Sequence, residues 1–523
     1  MNNEFILEIG TEELPARFLI QLNDQIEKII SDHLEQNRTT YTGLEVYLTS
    51  CRILVFIKNL AGQQNDVSEE IQGPPHHVFY NEKGEITDSG KKYLRSKDLT
   101  FRDITIKETT RGKYIFTVKT TKGRATNEII PVMVNQFLRS LPLPKSMRWD
   151  NSDMQFLRPI RWLVCLYQGK VVKFNIGNIT ASSASYGHKF LFPGKIKVTT
   201  INKLKNDLKK SYVMVDPAER KKFIVTAIKK SISQDLTVDQ DQGLLDEVSF
   251  MVEYPFVQLC EFEKKYLSIP SDFLSTSIKH HQHAFPVFKK NKLTHYFVVI
   301  VNNKPNPTIK NGNERVLRAR LNDAKFFFEQ DRKISLEKYN TRLKEILFLN
   351  DTGTMLDKVY RIRHISIQIG EMMNLSTEEK KNVERCAWLC KADLLTNIVY
   401  EFPELQGSAG RIYAELDKEK KGVSLGIEEH YRPRNVDDVL PKTSEGIIVA
   451  LADRIDSIVG CFIKDLKPTG SQDPYQVRRS TLAVVNIILH YKLNLRIDKI
   501  IEKTLDQYID QKLFEHSQNS VKK

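Results

Sequence analysis

The chain has 523 residues, 41% hydrophobic and 28% charged, which is the composition of a soluble globular protein long enough for two to four domains. Its 79 Lys+Arg against 65 Asp+Glu leave a net charge of +14, spread along the chain, and this favours an anionic partner. Met1-Asn2-Asn3-Glu4-Phe5 carries no basic leader and no apolar run approaches the ~18 residues of a membrane span, so a cytoplasmic location is expected rather than a secretory or membrane class.

In chain order, Phe5–Gly10 reads as a strand, and Thr11-Glu12-Glu13-Leu14-Pro15 turns into a long helix with Phe18, Leu22, Ile26 and Ile30 on one face. Further strands are expected at Val46–Leu48, Ile53–Ile57 and Tyr114–Val118, with turns at Gly73-Pro74-Pro75 and Lys122-Gly123. Residues 171–198 also read as strands, with loops at Gly187-His188-Lys189 and Pro193-Gly194. Asn311 and Glu314 have capping-box spacing ahead of a helix with Leu317, Leu321, Ala324 and Phe328 on one face and Arg315, Arg318, Asn322, Lys325 and Arg332 on the other. From about Thr341 the text turns helical. A capping box at Ser376 and Glu379 precedes an apolar face of Val383, Ala387, Cys390, Leu394 and Ile398, and a second helix is expected to bury Ile447, Leu451, Ile455, Ile458 and Phe462. The fold class is therefore α+β and multidomain: an α+β portion over 1–340, an all-α portion over 341–470, and the start of a further helical region over 471–523, ending in a polar tail at 518–523.

Two kinds of residue stand out chemically. The first is arginine beside aromatic rings: Lys145 and Met147-Arg148-Trp149, Arg158-Pro159-Ile160-Arg161-Trp162, and Gly312-Asn313-Glu314-Arg315-Val316-Leu317-Arg318-Ala319-Arg320-Leu321 with Lys325. Guanidinium groups bind phosphate bidentately and indoles stack on bases, which suits an unpaired or bent RNA; the same residues also suit a core with charged edges, Trp149 and Trp162 being anchors. The second is His280-His281-Gln282-His283. Adjacent histidines cannot easily face one ion from regular structure, so hydrogen bonding or RNA contact is expected there, and His188 in its glycine loop joins the same candidates.

Other chemistry finds little support. There is no G-x-x-x-x-G-K-[ST] loop, no G-x-G-x-x-G after a strand, no His-x-Gly-His run and no Gly-x-Gly-x-Gly stretch closing on arginine. The six cysteines are scattered, with only Cys386 and Cys390 one helical turn apart, and read as reduced buried thiols. Glu253 and Glu261 could be named as a carboxylate pair, but acids beside strands are usually solvated. Lys391-Ala392-Asp393 and Asp453 sit where HD-class phosphohydrolases carry His-Asp and a distant Asp around divalent metal. A lysine in place of the histidine brings charge where a neutral ligand is required, so an HD-like shape with no metal site is expected, and Asp393 and Asp453 meet beside a cation from Lys391 or Arg454.

The ordered motifs Leu7-Glu8-Ile9-Gly10-Thr11-Glu12-Glu13-Leu14-Pro15, Pro144–Trp149, Arg158–Trp162, Gly312–Leu321, Lys391–Leu394, Glu401-Phe402-Pro403-Glu404-Leu405-Gln406-Gly407, Ile427–Pro433, Ala452–Asp456 and Pro468–Pro474 resemble the β subunit of bacterial two-subunit glycyl-tRNA synthetase. The resemblance covers nearly the whole chain. It implies tRNA-binding and editing-like modules in 1–340, a degenerate HD-like domain in 341–470, and a helical anticodon-binding region of which 471–523 is only the start. It implies further a tRNA-recognising subunit with no catalytic or metal-binding residues of its own, acting with an α subunit that carries the site for ATP, Mg²⁺ and glycine. The partners would be that α subunit and tRNA(Gly), in a heterotetramer with two β subunits. The rivals are a stand-alone RNA-binding module and an HD phosphohydrolase.

Overall fold

A computed structural model describes residues 3–97, 99–110, 112–239, 241–349, 352–436, 438–470 and 472–513. The fold is mixed α/β with several sheets. The chain forms two compact units, one of Met1–Ser231, Gln240–Gln258 and Ile300–Pro305 and the other of Ile232–Asp239, Leu259–Val299 and Asn306–Lys523; residue 340 lies inside the second. The polar tail at 518–523 lies outside the described residues.

The first unit is organised by a seven-stranded sheet whose main path runs Gly43–Thr49, Arg52–Lys58, Phe5–Thr11, Ile160–Tyr167, Ile179–Ser182, Asn175–Ile176. Its opening strand is buried along its full length, because both faces are covered. Phe5, Leu7 and Ile9 point into one core with Leu19, Leu22, Ile30, Val134 and Phe137. Ile6 points into the other with Leu54, Phe56, Val164, Leu166, Leu204 and Leu208. Strand alternation puts Glu8 and Gly10 on that second face, beside Arg52 and Trp162, which are the two cross-strand partners of Gly10. A Cβ at Gly10 would stand 1.9 Å from the Trp162 ring, so only glycine lets the indole lie across the strand.

Several expectations are corrected here. The first helix is two, Ala16–Asn23 and Ile26–Gln36, although Phe18, Leu22, Ile26 and Ile30 still share one core. No glycine or proline marks the break. Gly73-Pro74-Pro75 ends the Val67–Pro75 strand through a register shift rather than forming a free turn. The strands read over 171–198 are present as short segments between Lys170 and Lys197.

A four-stranded sheet, most of whose residues belong to the second unit, runs Thr237–Val238, Ala284–Lys289, Lys292–Val301, Phe256–Glu261. The helix expected to start after Asn311 starts at Pro307, where the Asn306 side chain accepts the Ile309 N–H and proline takes the first turn. Glu314 instead accepts the Glu261 N–H. The Ser376 capping box is present, but its helix is Thr377–Leu389; Leu394 lies in a 3₁₀ turn and Ile398 in a separate short helix. Ser444–Ile463 is the central helix of this unit, packed by Met355–Met372, Thr377–Leu389, Lys421–Glu429 and Val477–Tyr491. Phe462, expected in its core, is 51% exposed, and Val459 and Cys461 are buried instead.

Candidate functional site

In the first unit the two leading motifs meet. Antiparallel pairing of Phe5–Thr11 with Ile160–Tyr167 sets Glu8 beside Val164, Gly10 beside Trp162 and Thr11 beside Ile160, with a bulge after Gly10. The Arg52 guanidinium is fully buried between Glu8 (2.8 Å) and Glu253 (2.7 Å) and also donates to the Tyr186 carbonyl. The Trp162 indole donates to Glu8 Oε1 at 3.1 Å, with Arg52 5.3 Å from its centroid and Tyr186 edge-on. Burial opposes charge on Arg52 and Glu253, but each holds the other ionised, so the arginine lies above and the carboxyl below its ordinary range. Glu253, expected to be solvated, is therefore a buried structural carboxylate, because a charge is tolerated there only when paired. Glu261 is exposed and pairs with Lys310.

Above this cluster opens a cavity of about 380 Å³, lined among others by Thr11, Glu12, Cys51, Trp162, Tyr186 and Lys189. Arg161 and Lys189 bracket Glu12 at its mouth, and the Arg161 hydrogen bond leads in holding the Glu12 carboxyl below its ordinary range. Thr11 is buried and its hydroxyl has no partner among the described residues. The Cys51 thiol is pushed up to about 12, first by burial and then by Glu253, so it is not a nucleophile.

The other candidates of this unit divide by exposure. Pairing of Met147 with Phe156 brings the Pro144–Trp149 and Phe156–Trp162 runs together. Lys145 and Arg148 are exposed with no ion-pair partner among the described residues, and Arg158 is exposed and held only by the Leu157 carbonyl. Trp149 packs half-buried on the first core, its indole N–H without an acceptor. His188 is fully buried: its Nδ1 accepts the N–H groups of Phe190 and Leu191, so Nε2 carries the proton and donates to Asn302 Oδ1 at 2.9 Å.

In the second unit His280 and His281 end a π-helical turn at Ser277–His281, His280 exposed and His281 edge-on to Phe402 with its pKa lowered by burial. Gln282 donates to Asn313. On the 307–331 helix Arg315 is exposed and has no ion-pair partner among the described residues, Arg318 pairs with Glu263 at 2.7 Å, and Lys325 lies 3.7 Å from Glu329.

Lys391 meets Asp453 as expected, but Asp393 does not join them. Asp453 is gripped by Lys358 (3.0 Å) and Lys391 (2.8 Å), and Asp456, one turn on, by Lys358 (2.9 Å) and Arg361 (2.6 Å). Burial would raise the Asp453 carboxyl, but the two ammonium groups outweigh it and hold it well below its usual range. Asp393 turns away to accept the N–H groups of Gly407 (2.6 Å) and Gly410 (3.2 Å), and burial pushes it up to about 6. Arg454 donates to carbonyls at His430, Ala450, Tyr431 and Pro433, so it is not the cation at Asp453. His430 is buried and neutral, its Nδ1–H given to the Ile427 carbonyl, and burial takes its pKa well below the ordinary value. Among the described residues no cluster of three His, Cys, Asp or Glu is arranged to hold a metal. Sequence reasoning missed Lys358, Arg361 and Asp456; the signal was a cation pair and a carboxylate pair, each at i,i+3 and so on one helix face.

Among the described residues no helix is long and apolar enough to cross a membrane. The family model described as glycyl-tRNA synthetase beta subunit matches residues 5–523. The glycine–tRNA ligase beta subunit of Syntrophomonas wolfei is 38% identical over 526 aligned residues, covering 100% of this chain and 76% of that protein. The one from Clostridioides difficile is 37% identical, covering 97% and 74%, and that from Dictyoglomus turgidum 39%, covering 95% and 73%. With its whole described length matched and its leading motifs joined in one sheet, the chain belongs to the glycyl-tRNA synthetase beta subunit family, a family of aminoacyl-tRNA synthetase subunits.

Proposed function

We propose that this chain recognises and positions tRNA(Gly) for an α subunit that carries out glycine activation and transfer, with ATP and Mg²⁺ bound there, in an assembly containing two copies of each. The observation that carries the reading is the family match over residues 5–523. Its chemistry is consistent: the cavity of the first unit holds a protonated thiol and carboxylates tied to cations, with no activated nucleophile, while Lys145, Arg148 and Arg315 offer uncompensated positive charge. Positioning alone has large effects, since displacement of a reacting group by about 1 Å can cost on the order of 100-fold in rate.

Within the same reading the helices from Met355 to Ile463 form an HD-like domain that has exchanged divalent metal for protein cations. The residues present do not fit a metal ion: both oxygens of Asp453 face ammonium groups, and Asp393 Oδ2 accepts two backbone N–H groups, which leaves only its Oδ1 open. Glycine-dependent pyrophosphate exchange on the isolated chain is expected to stay at background, with glycylation of tRNA(Gly) restored by added α subunit. Exchange by the chain alone would overturn the assignment. Phosphodiester hydrolysis abolished by Asp453→Asn, with stoichiometric metal after dialysis, would make the helical unit an active phosphohydrolase.

A further inference from the structure

The loop Gly187–Gly194 has a fixed backbone that presents Lys189 and Phe190 to solvent. The buried His188 ring fixes the Phe190 and Leu191 amides, the Phe192 N–H returns to the His188 carbonyl at 3.0 Å, and the Gly187 N–H to the Gly194 carbonyl at 3.1 Å. A Cβ at Gly187 would come within 2.5 Å of Phe192, so that ring folds over its own loop. Phe190 does not: it stands 63% exposed with the Lys189 ammonium 5.9 Å from its centroid. The ring lies 6.3 Å from that of His188 on a loop whose backbone is fixed, and its exposed face is open to a stacking partner beside the cation. Lys189 also lines the cavity floored by Trp162 and Tyr186, where the buried Thr11 hydroxyl has no partner among the described residues.

We propose that this cavity takes one unpaired nucleotide of an RNA strand, its base entering against Trp162 and Tyr186 within reach of the Thr11 hydroxyl, its phosphate at Lys189 and Arg161, and a neighbouring base on Phe190. The proposal deepens the tRNA reading and rests on it. The chemistry selects this ligand class. Aromatic walls and a lone hydroxyl suit a planar group with a hydrogen-bonding edge, and the mouth cations, held by Glu12 and Glu13 in solvent-exposed pairs worth little, can exchange them for phosphate. Burial keeps the Cys51 thiol protonated and Arg52 ties up Glu253, so the cavity binds and does not react.

The test is ¹⁹F NMR on the full chain labelled with fluorotryptophan, which gives resonances for Trp149, Trp162 and Trp388, the Trp162 signal being assigned by Trp162→Phe. A single-stranded RNA hexamer and tRNA(Gly) are each expected to shift the Trp162 resonance saturably, with the Trp388 resonance unmoved. Phe190→Ala, an exposed position that leaves the fold intact, should weaken hexamer binding by about 5-fold or more, the scale of one lost base stack. Salt-dependent tRNA binding with an unmoved Trp162 signal would overturn the nucleotide site and leave the positioning role standing. An equal shift with inorganic phosphate would reduce the cavity to an anion site and overturn it too. Absence of any tRNA binding would remove the reading on which both depend.

Discussion

Asp453→Asn tests the charged heart of the helical unit. The carboxylate faces Lys358 at 3.0 Å and Lys391 at 2.8 Å and keeps only 13% of its side-chain surface. Taking one partner from a buried ion pair costs about 3–5 kcal/mol, because the charge left behind stays desolvated. Lys358 keeps Asp456 and the asparagine oxygen can still accept from one ammonium, so a loss near about 3 kcal/mol is expected. Unfolding in urea at pH 7, read at the ¹⁹F resonance of Trp388 in the Thr377–Leu389 helix, isolates this unit from the other. The sign with pH follows from the shift. A depressed Asp453 contributes stability that is complete above the ordinary carboxyl pKa and lost as pH falls through its folded pKa, so the variant should have a flatter acid limb. Lys358→Met should couple to it, the double variant being less destabilised than the sum by about 0.5–3 kcal/mol. A change within about 0.5 kcal/mol for Asp453→Asn, the range of ordinary surface substitutions, would refute the account of a buried, mutually dependent cluster.

Gly10→Ala places a Cβ 1.9 Å from Trp162 and should lower the stability of the first unit by about 1–3 kcal/mol, visible as a shifted Trp162 resonance and earlier thermal unfolding; a neutral result would show that the indole does not lie across the strand. Asp393, raised to about 6, contributes stability that is complete below its unfolded pKa near 3.8 and lost as pH rises through 6, about 3 kcal/mol in all. Asp393→Asn keeps an oxygen for Gly407 and Gly410, so thermal unfolding between pH 4 and 7 should lose that decline. Arg315→Ala should weaken tRNA binding and reduce the slope of log affinity against log salt by about one, whereas Arg318→Ala, whose partner is Glu263, should show less; equal slopes in both variants and the parent would make the stripe a solvated face.

Local periodicity carried the strands and the principal helix faces. Phe5–Thr11 is a strand because its apolar residues, interrupted only at Glu8 before Gly10, are followed by turn chemistry, and Leu317, Leu321 and Ala324 are buried as their spacing requires. What escaped was decided by partners distant in sequence. Glu253 is buried because Arg52, about 200 residues away, meets it, and no local pattern around either residue announces this. The helix after Ser376 ends at Leu389 so that Lys391 reaches Asp453 and Asp393 reaches the Gly407 turn, which a run of apolar spacings cannot foresee. Of the two cations expected at Asp453, Lys391 is there and Arg454 is not; the second is Lys358, from a helix about 95 residues away in sequence.

The four charges on the Met355–Met372 and Ser444–Ile463 helices act as a key for their alignment. Lys358 and Arg361 are three residues apart, as are Asp453 and Asp456, and Lys358 bridges both acids while Arg361 takes the second alone. Sliding one helix past the other by a turn, about 5.4 Å, would set a buried guanidinium or carboxylate against apolar side chains with no counter-charge. Apolar packing tolerates several such registers; this quartet tolerates one. Substitutions within it must therefore change in complementary pairs, and a mixed pair taken from two relatives with different solutions would misalign the helices even though each residue is acceptable in its own background.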